Sequence, residues 1–139
     1  MRVEWWIDGK RRCSTCKQYL DPGLFHKNKA KVDGLHFRCK ACERNLSLIR
    51  QYGITSEQYD ERLKAQGGVC DICKTPPTSK RLAVDHDHSC CPLEEHGTNT
   101  CGKCVRSLLC ENCNHMLGKA RDDAALLRAA ADYLDGWSS

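Results

Sequence analysis

The sequence predicts an α+β protein, with a small strand–loop–strand–helix core behind a smaller N-terminal finger. Three observations predict it. Cysteines recur as matched Cys-x-x-Cys turns, Cys13/Cys16 with Cys39/Cys42 and Cys70/Cys73 with Cys110/Cys113. Two short strand-like runs, 81–85 and 105–109, lie between the turns of the second set, and a helical stretch follows its last cysteine. The chain has 139 residues, of which 6% are aromatic and 29% charged, too little apolar material for two unaided cores. Paired turns at this spacing put four sulfurs around one tetrahedral ion, so both sets read as structural zinc sites.

Composition narrows the setting. The N-terminus, Met1-Arg2-Val3-Glu4-Trp5-Trp6, shows no export signal, and no run is long and apolar enough to span a membrane. Twelve cysteines without such a signal point to metal ligation in a reducing, cytoplasmic setting and away from a disulfide scaffold. The formal charge of +4 falls to about 0 with two four-thiolate zinc sites and to about −2 with three. Its distribution is uneven. Residues 1–50 hold 12 Lys/Arg against 5 Asp/Glu, and residues 51–139 hold 10 against 13. The first half is therefore the expected contact for a polyanion such as DNA.

The expected division is a finger over 1–50 and a second unit over 51–139. In the finger, Trp5-Trp6-Ile7 break at Asp8-Gly9, and Lys10, Arg11 and Arg12 precede the first knuckle. Leu24, Phe25, Leu35 and Phe37, with a turn at Asp33-Gly34, predict a zinc-ribbon-like hairpin packed over the metal. His26 and His36 are read as surface or packing residues because four thiolates already complete the shell. A helix is expected over about 40–52, with Arg44 on its basic edge. Lys10, Arg11, Arg12 and Arg44 are the candidate phosphate contacts.

Thr55 and Gln58 fit a capping box, and Ile54 with Tyr59 a hydrophobic staple, so a connecting helix starts there and ends at Gly67-Gly68. Thr75-Pro76-Pro77 then turns the chain. The first strand leads into Asp85-His86-Asp87-His88, and a helix over about 112–121 carries Asn114 directly after Cys113. The end of that strand and the first turn of that helix should face each other. Asp85 and Asn114 offer hard oxygens suited to Mg²⁺ or Mn²⁺, and His86 titrates near neutrality and can take a proton from water. Such a set fits hydrolysis of a phosphodiester. The competing reading is a non-catalytic zinc module that binds nucleic acid or protein.

The segment between the strands is long for a hairpin and carries Cys90, Cys91, Cys101 and Cys104. Some subset is expected to bind a third zinc, with His88 or His96 able to replace one of the adjacent cysteines. If His88 were drawn into that site it would be lost to catalysis. At the C-terminus, Asp122 and Asp123 start a helix whose Leu127, Ala130, Ala131 and Leu134 share a face, with Gly136 as its stop. That face is expected to pack on the core, with a second copy as the alternative.

Tyr52-Gly53-Ile54-Thr55, Gly67-Gly68-Val69-Cys70, Val84-Asp85-His86-Asp87-His88, the run from Val105 through Cys110 to Asn114, and Leu117-Gly118 together resemble the recombination endonuclease VII family of phage proteins, within the HNH group. The resemblance implies a ββα-metal (HNH, treble-clef-like) nuclease core and Mg²⁺- or Mn²⁺-dependent cleavage of DNA. It implies metal ligation by Asp85 and Asn114, His86 as general base, a phosphate-contacting or orienting role for His88, and a phosphate clamp at Arg106. A further acidic position of the family falls at Leu117, and the long dimer-forming tail of the junction-resolving member is short here, which favours nicking or cutting of duplex DNA and leaves branch preference open. Homodimerisation, phage packaging or recombination proteins as partners, and the host-cell cytoplasm as location follow as expectations from the same resemblance.

Overall fold

The computed structural model describes residues 3–78, 80–90 and 100–138. The chain begins with a three-stranded antiparallel sheet, β1 (Trp6–Ile7), β2 (Lys10–Arg12) and β3 (Tyr19–Leu20), in that order. The first knuckle lies between β2 and β3. A short 3-10 turn (Pro22–Leu24) leads into the hairpin of β4 (Phe25–Lys27) and β5 (Leu35–Cys39), paired through Phe25↔Cys39 and Lys27↔Leu35. Helix α1 (Lys40–Tyr52) follows without a break, with Cys39 as its N-cap residue. The hairpin and helix lie where the apolar spacing puts them.

Helix α2 (Ser56–Ala65) opens with the expected capping box. Thr55 Oγ1 accepts from the Gln58 N–H, and Gln58 Oε1 accepts from the Thr55 N–H. After the second knuckle come β6 (Ala83–His86) and β7 (Val105–Leu109), antiparallel, then α3 (Glu111–Lys119) with Cys110 as its N-cap residue. The expected strand–strand–helix order is therefore present. Helix α4 (Ala124–Ser138) ends the described chain.

The main core holds Ile54, Tyr59, Cys70, Leu82, Val84, Val105, Leu108, Leu109 and Cys113, with Leu48, Tyr52, Leu63 and Leu117 packed against it. The Tyr59 hydroxyl donates to the Leu82 carbonyl at 2.7 Å, so this buried phenol is satisfied. The Gln66 side chain acts as a short substitute strand along β7: its Oε1 accepts from the Leu108 N–H at 2.8 Å and its Nε2 donates to the Leu108 carbonyl at 2.9 Å. The finger has a smaller core of Cys13, Phe25 and Cys39. Helix α1 runs across residue 50, its start on the finger's sulfur cluster and its Leu48 and Tyr52 on the main core. The expected division at residue 50 thus falls inside a continuous helix.

Two expectations about the C-terminus are corrected. Helix α4 does not stop at Gly136 but continues to Ser138, because Gly136 lacks the left-handed conformation that ends a helix. Nor does the face of Leu127, Ala130, Ala131 and Leu134 pack along the core. Leu127 is half-buried, whereas Leu134 is 64% exposed. A left-handed turn at Arg121 and Asp122 redirects the chain after α3, and Leu126, Leu127 and Ala130 of α4 share a cleft with Asn112, His115 and Met116 of α3.

Candidate active site

Sulfur geometry fixes the frame. Cys13, Cys16, Cys39 and Cys42 form one cluster and Cys70, Cys73, Cys110 and Cys113 another, each with its ligand atoms within 4.8 Å of one another. A tetrahedral zinc thiolate has sulfurs about 3.8 Å apart, and Cys73 Sγ and Cys110 Sγ are separated by 3.8 Å. Hydrogen-bond donors favour the thiolate form at Cys13 and Cys73, whereas burial and the neighbouring sulfurs push Cys42 and Cys113 up to about 12. Burial pushes the Cys13 thiol up, but N–H groups of Cys39, Cys16 and Thr15 outweigh it and bring the pKa down to about 6. At Cys73, the hydroxyl and N–H of Thr75 bring it down to about 6. Both clusters therefore suit a soft, thiolate-seeking ion.

The second cluster sets β6 against the start of α3. In a regular strand, adjacent side chains point to opposite faces, which would separate Asp85 from His86. The β6–β7 ladder is irregular at this point. Asp85 pairs with Ser107 and His86 with Val105, leaving Arg106 as the extra residue of a bulge. Asp85 and His86 nonetheless both line one cleft of about 530 Å³, together with His88, Asn114, Leu117, Lys119, Asp122 and Tyr52.

Within the cleft, Asp85 is 5% exposed. Its two carboxylate oxygens accept from Arg106, Nε to Oδ2 at 2.7 Å and Nη2 to Oδ1 at 2.9 Å. The same Nη2 reaches Asp122 Oδ1 at 3.3 Å. Arg106 is thereby held firmly protonated, its hydrogen bond to Asp85 raising its pKa further above the ordinary guanidinium value. The His86 ring lies 4.4 Å from that of His88 and 5.8 Å from that of Tyr52, between centroids. Burial lowers the His86 pKa, the neighbouring His88 and Arg106 lower it further, and Asp85 only partly opposes them. His86 is accordingly a neutral imidazole near neutral pH, able to accept a proton.

The structure brings together Asp85, His86, His88, Asn114 and Arg106 from the residues the sequence singles out. His88 faces the cleft, with Nδ1 3.6 Å from Asp122 Oδ2, and is not part of the third sulfur cluster, Cys90, Cys101 and Cys104. In this structure His88 lines the cleft and stands apart from those three sulfurs. Cys91 and His96 lie outside the described residues. Asp122 is the residue that sequence reasoning missed. It reads as a helix-start carboxylate, and only its left-handed backbone, φ 56°, turns it back toward Arg106 and His88.

The basic candidates of the finger divide. Lys10 is exposed and Arg12 half-buried. Arg11 is corrected: it is 5% exposed, its Nε donates to Asp33 Oδ2 at 2.6 Å, and its guanidinium lies over Phe25. It is an internal strut, because its charge is met inside the finger. Arg44 pairs with Asp60 at 3.2 Å and lies over the Tyr59 ring, beside a separate cleft shared with Arg81. Arg106, expected to clamp a phosphate, spends its donors on the two carboxylates in this structure.

A strand–strand–helix unit beside four clustered sulfurs carries a carboxylate, an imidazole and an amide in one cleft, a set of groups suited to hydrolysis. Comparison with known proteins gives the family. Residues 43–136 match the model of the recombination endonuclease VII family. The "Gene 59 protein" of Mycobacterium phage D29 is 36% identical over 136 residues, 90% of this chain and 75% of that protein. The "Gene 59 protein" of Mycobacterium phage L5 is 33% identical over 138 residues, 90% of this chain and 76% of that one. The chain belongs to the recombination endonuclease VII family and is a nuclease. The β-β-α-Me type II restriction endonuclease Hpy99I is a distant structural neighbour, 22% identical with a TM-score of 0.33, over 92% of this chain and 66% of that one, a likeness too loose to add to the family assignment.

Proposed function

We propose that this chain is a divalent-metal-dependent DNA endonuclease that hydrolyses phosphodiester bonds, nicking or cutting duplex or branched DNA, with zinc in its two four-cysteine sites. The observation that carries the reading is that Asp85, His86 and Asn114 line one cleft. The donors fit a small hard cation once Arg106 releases Asp85: a carboxylate and an amide share one cleft, with no sulfur among its described lining residues. Asp85 and Asn114 would hold Mg²⁺ or Mn²⁺, which when bound stabilises negative charge on the phosphate and leaving oxygen.

The chain's own residues do the rest. His86 takes a proton from the attacking water at an imidazole nitrogen, a role its lowered pKa favours. His88, held 3.6 Å from Asp122, orients His86 or contacts the phosphate. Arg106 is the phosphate clamp once substrate draws its guanidinium toward the rim; its side chain is 38% exposed there. The finger of residues 1–50, through Lys10 and Arg12, holds DNA for the cutting unit of 51–139, and α1 joins the two.

Plasmid assays test this. Wild type with Mg²⁺ or Mn²⁺ should convert supercoiled DNA to nicked or linear forms, and His86→Ala should not, while both retain the same zinc content. Equal survival of supercoiled DNA with the two proteins would refute the reading.

A further inference from the structure

Outside the cleft and the two four-cysteine clusters, the described residues hold a third cluster of sulfurs. Cys90, Cys101 and Cys104 place their sulfurs within 4.8 Å of one another. Cys90 Sγ lies 3.9 Å from Cys101 Sγ, and Cys101 Sγ lies 3.4 Å from Cys104 Sγ. These separations bracket the edge of about 3.8 Å expected for a zinc thiolate tetrahedron. They are far longer than the bond of about 2.05 Å in a disulfide.

The three cysteines come from two places. Cys90 ends a tight turn after β6, where Asp87 Oδ1 accepts from the Ser89 N–H at 2.9 Å and the Cys90 N–H donates to the Asp87 carbonyl. Cys101 and Cys104 form a knuckle before β7. The Asp87 N–H donates to the Cys104 carbonyl at 2.9 Å, so the two places are already adjacent through the backbone.

The knuckle also sits on the end of α1. The Thr100 N–H donates to the Gln51 carbonyl at 3.3 Å. Gly53 and Gly102 pack backbone to backbone so closely that a Cβ on Gly53 would lie 2.6 Å from the Gly102 nitrogen. Both glycines have positive φ, 69° and 80°. Neither a side chain nor an ordinary backbone conformation fits there. A contact this tight, between the helix that leaves the finger and the loop that joins the catalytic strands, needs the loop held in one place.

We infer that Cys90, Cys101 and Cys104 bind a third zinc ion, and that this ion latches the Cys101–Cys104 knuckle before β7 onto the C-terminal end of α1. Binding releases the thiol protons to solvent and leaves one tetrahedral position for a further donor. The ion fixes the segment carrying Asp87 and His88 directly beside His86. Its effect on cleavage rests on the nuclease reading; its existence does not.

Metal analysis of the protein as purified tests the site. The Cys101→Ser/Cys104→Ser double variant should hold one zinc fewer than wild type. Exchange of the Asp87 amide, bonded to the Cys104 carbonyl, should quicken about tenfold or more, while amides of the first knuckle keep wild-type rates. Cobalt titration of the wild-type chain keeps the test open should the double variant fail to fold. Thiolate-to-cobalt absorption should go on rising after the equivalents that fill the two four-cysteine sites. Saturation at those two sites, a Cys101–Cys104 disulfide in the purified chain, or unchanged exchange at Asp87 after loss of the ion would each overturn the inference. A chain that binds the third ion yet leaves DNA intact would refute the nuclease reading and leave this one standing.

Discussion

The first half of the chain and the second are built to one plan and differ in what the plan carries. Each contains a knuckle closed in the same way. The Cys13 N–H donates to the Gln18 carbonyl and the Lys17 N–H to the Cys13 carbonyl; the Cys70 N–H donates to Thr75 and the Lys74 N–H to Cys70. Lys17 and Lys74 both adopt positive φ, 64° and 57°. Each knuckle is followed by an antiparallel hairpin with a register irregularity, then by a helix capped by the third cysteine of the set, Cys39 or Cys110. The residue after the fourth cysteine is Glu43 in one and Asn114 in the other. Glu43 is paired with Arg38, whereas Asn114 lines the cleft. The comparison teaches that the sulfur frame supplies position and not chemistry. On the proposed function, chemistry arises where the strand end carries Asp85 and His86.

The largest expected difference between the halves is in their dependence on metal. Thiolate zinc sites contribute about 10–16 kcal/mol of apparent binding free energy to folding, and the finger has only Cys13, Phe25 and Cys39 as its buried core. Chelation should unfold residues 5–39 first, while amides of β6, β7 and α2, backed by the nine-residue core, keep part of their protection in hydrogen exchange. Loss of both halves in one step would break the comparison.

Next in size is the contrast between two histidines. His86→Ala should lower cleavage by about 10²–10⁴-fold, the range for removal of a general base. His26→Ala, on the exposed strand β4 of the finger, should leave the rate unchanged in the same plasmid assay.

Glycine replacements give a smaller, structural contrast. Gly34→Ala in the finger's hairpin meets no neighbour and should cost about 1 kcal/mol for its positive φ alone. Gly53→Ala adds a clash with Gly102 and Thr100 and should cost about 3 kcal/mol. Thermal unfolding of the two variants measures the difference.

The smallest effect is electrostatic. Asp33 is held below its ordinary pKa: burial opposes this, but the hydrogen bond and charge of Arg11 prevail. The stability this adds is fully present above the unfolded carboxylate pKa of about 3.9 and is lost as pH falls through the depressed value. Asp33→Asn should flatten the acid limb of the finger's stability curve and leave the neutral region nearly unchanged. An identical acid limb in both proteins would remove Arg11 from its structural role.

Much of this was legible in residue order. The cysteine spacing marks both knuckles, the capping box at Thr55 starts α2 where it is observed, and the apolar run 105–109 coincides with β7. Arg11 was misplaced because a basic run before a knuckle looks solvated, and nothing in the run shows that Asp33 will close over it. Helix α4 was misjudged because a shared apolar face says what can be buried and not what is near enough to bury it.

Local patterns, then, determined the elements, the sulfur sets and the chemically able residues, since turns, caps and ligand spacings act over a few residues. Tertiary structure alone decided that Asp85 and His86 share a cleft, that Asp122 joins them, and that Gly53 meets Gly102. Each of those depends on how β6 packs against α3, on a left-handed turn or on a backbone contact between segments far apart in the chain, and such geometry is set by packing.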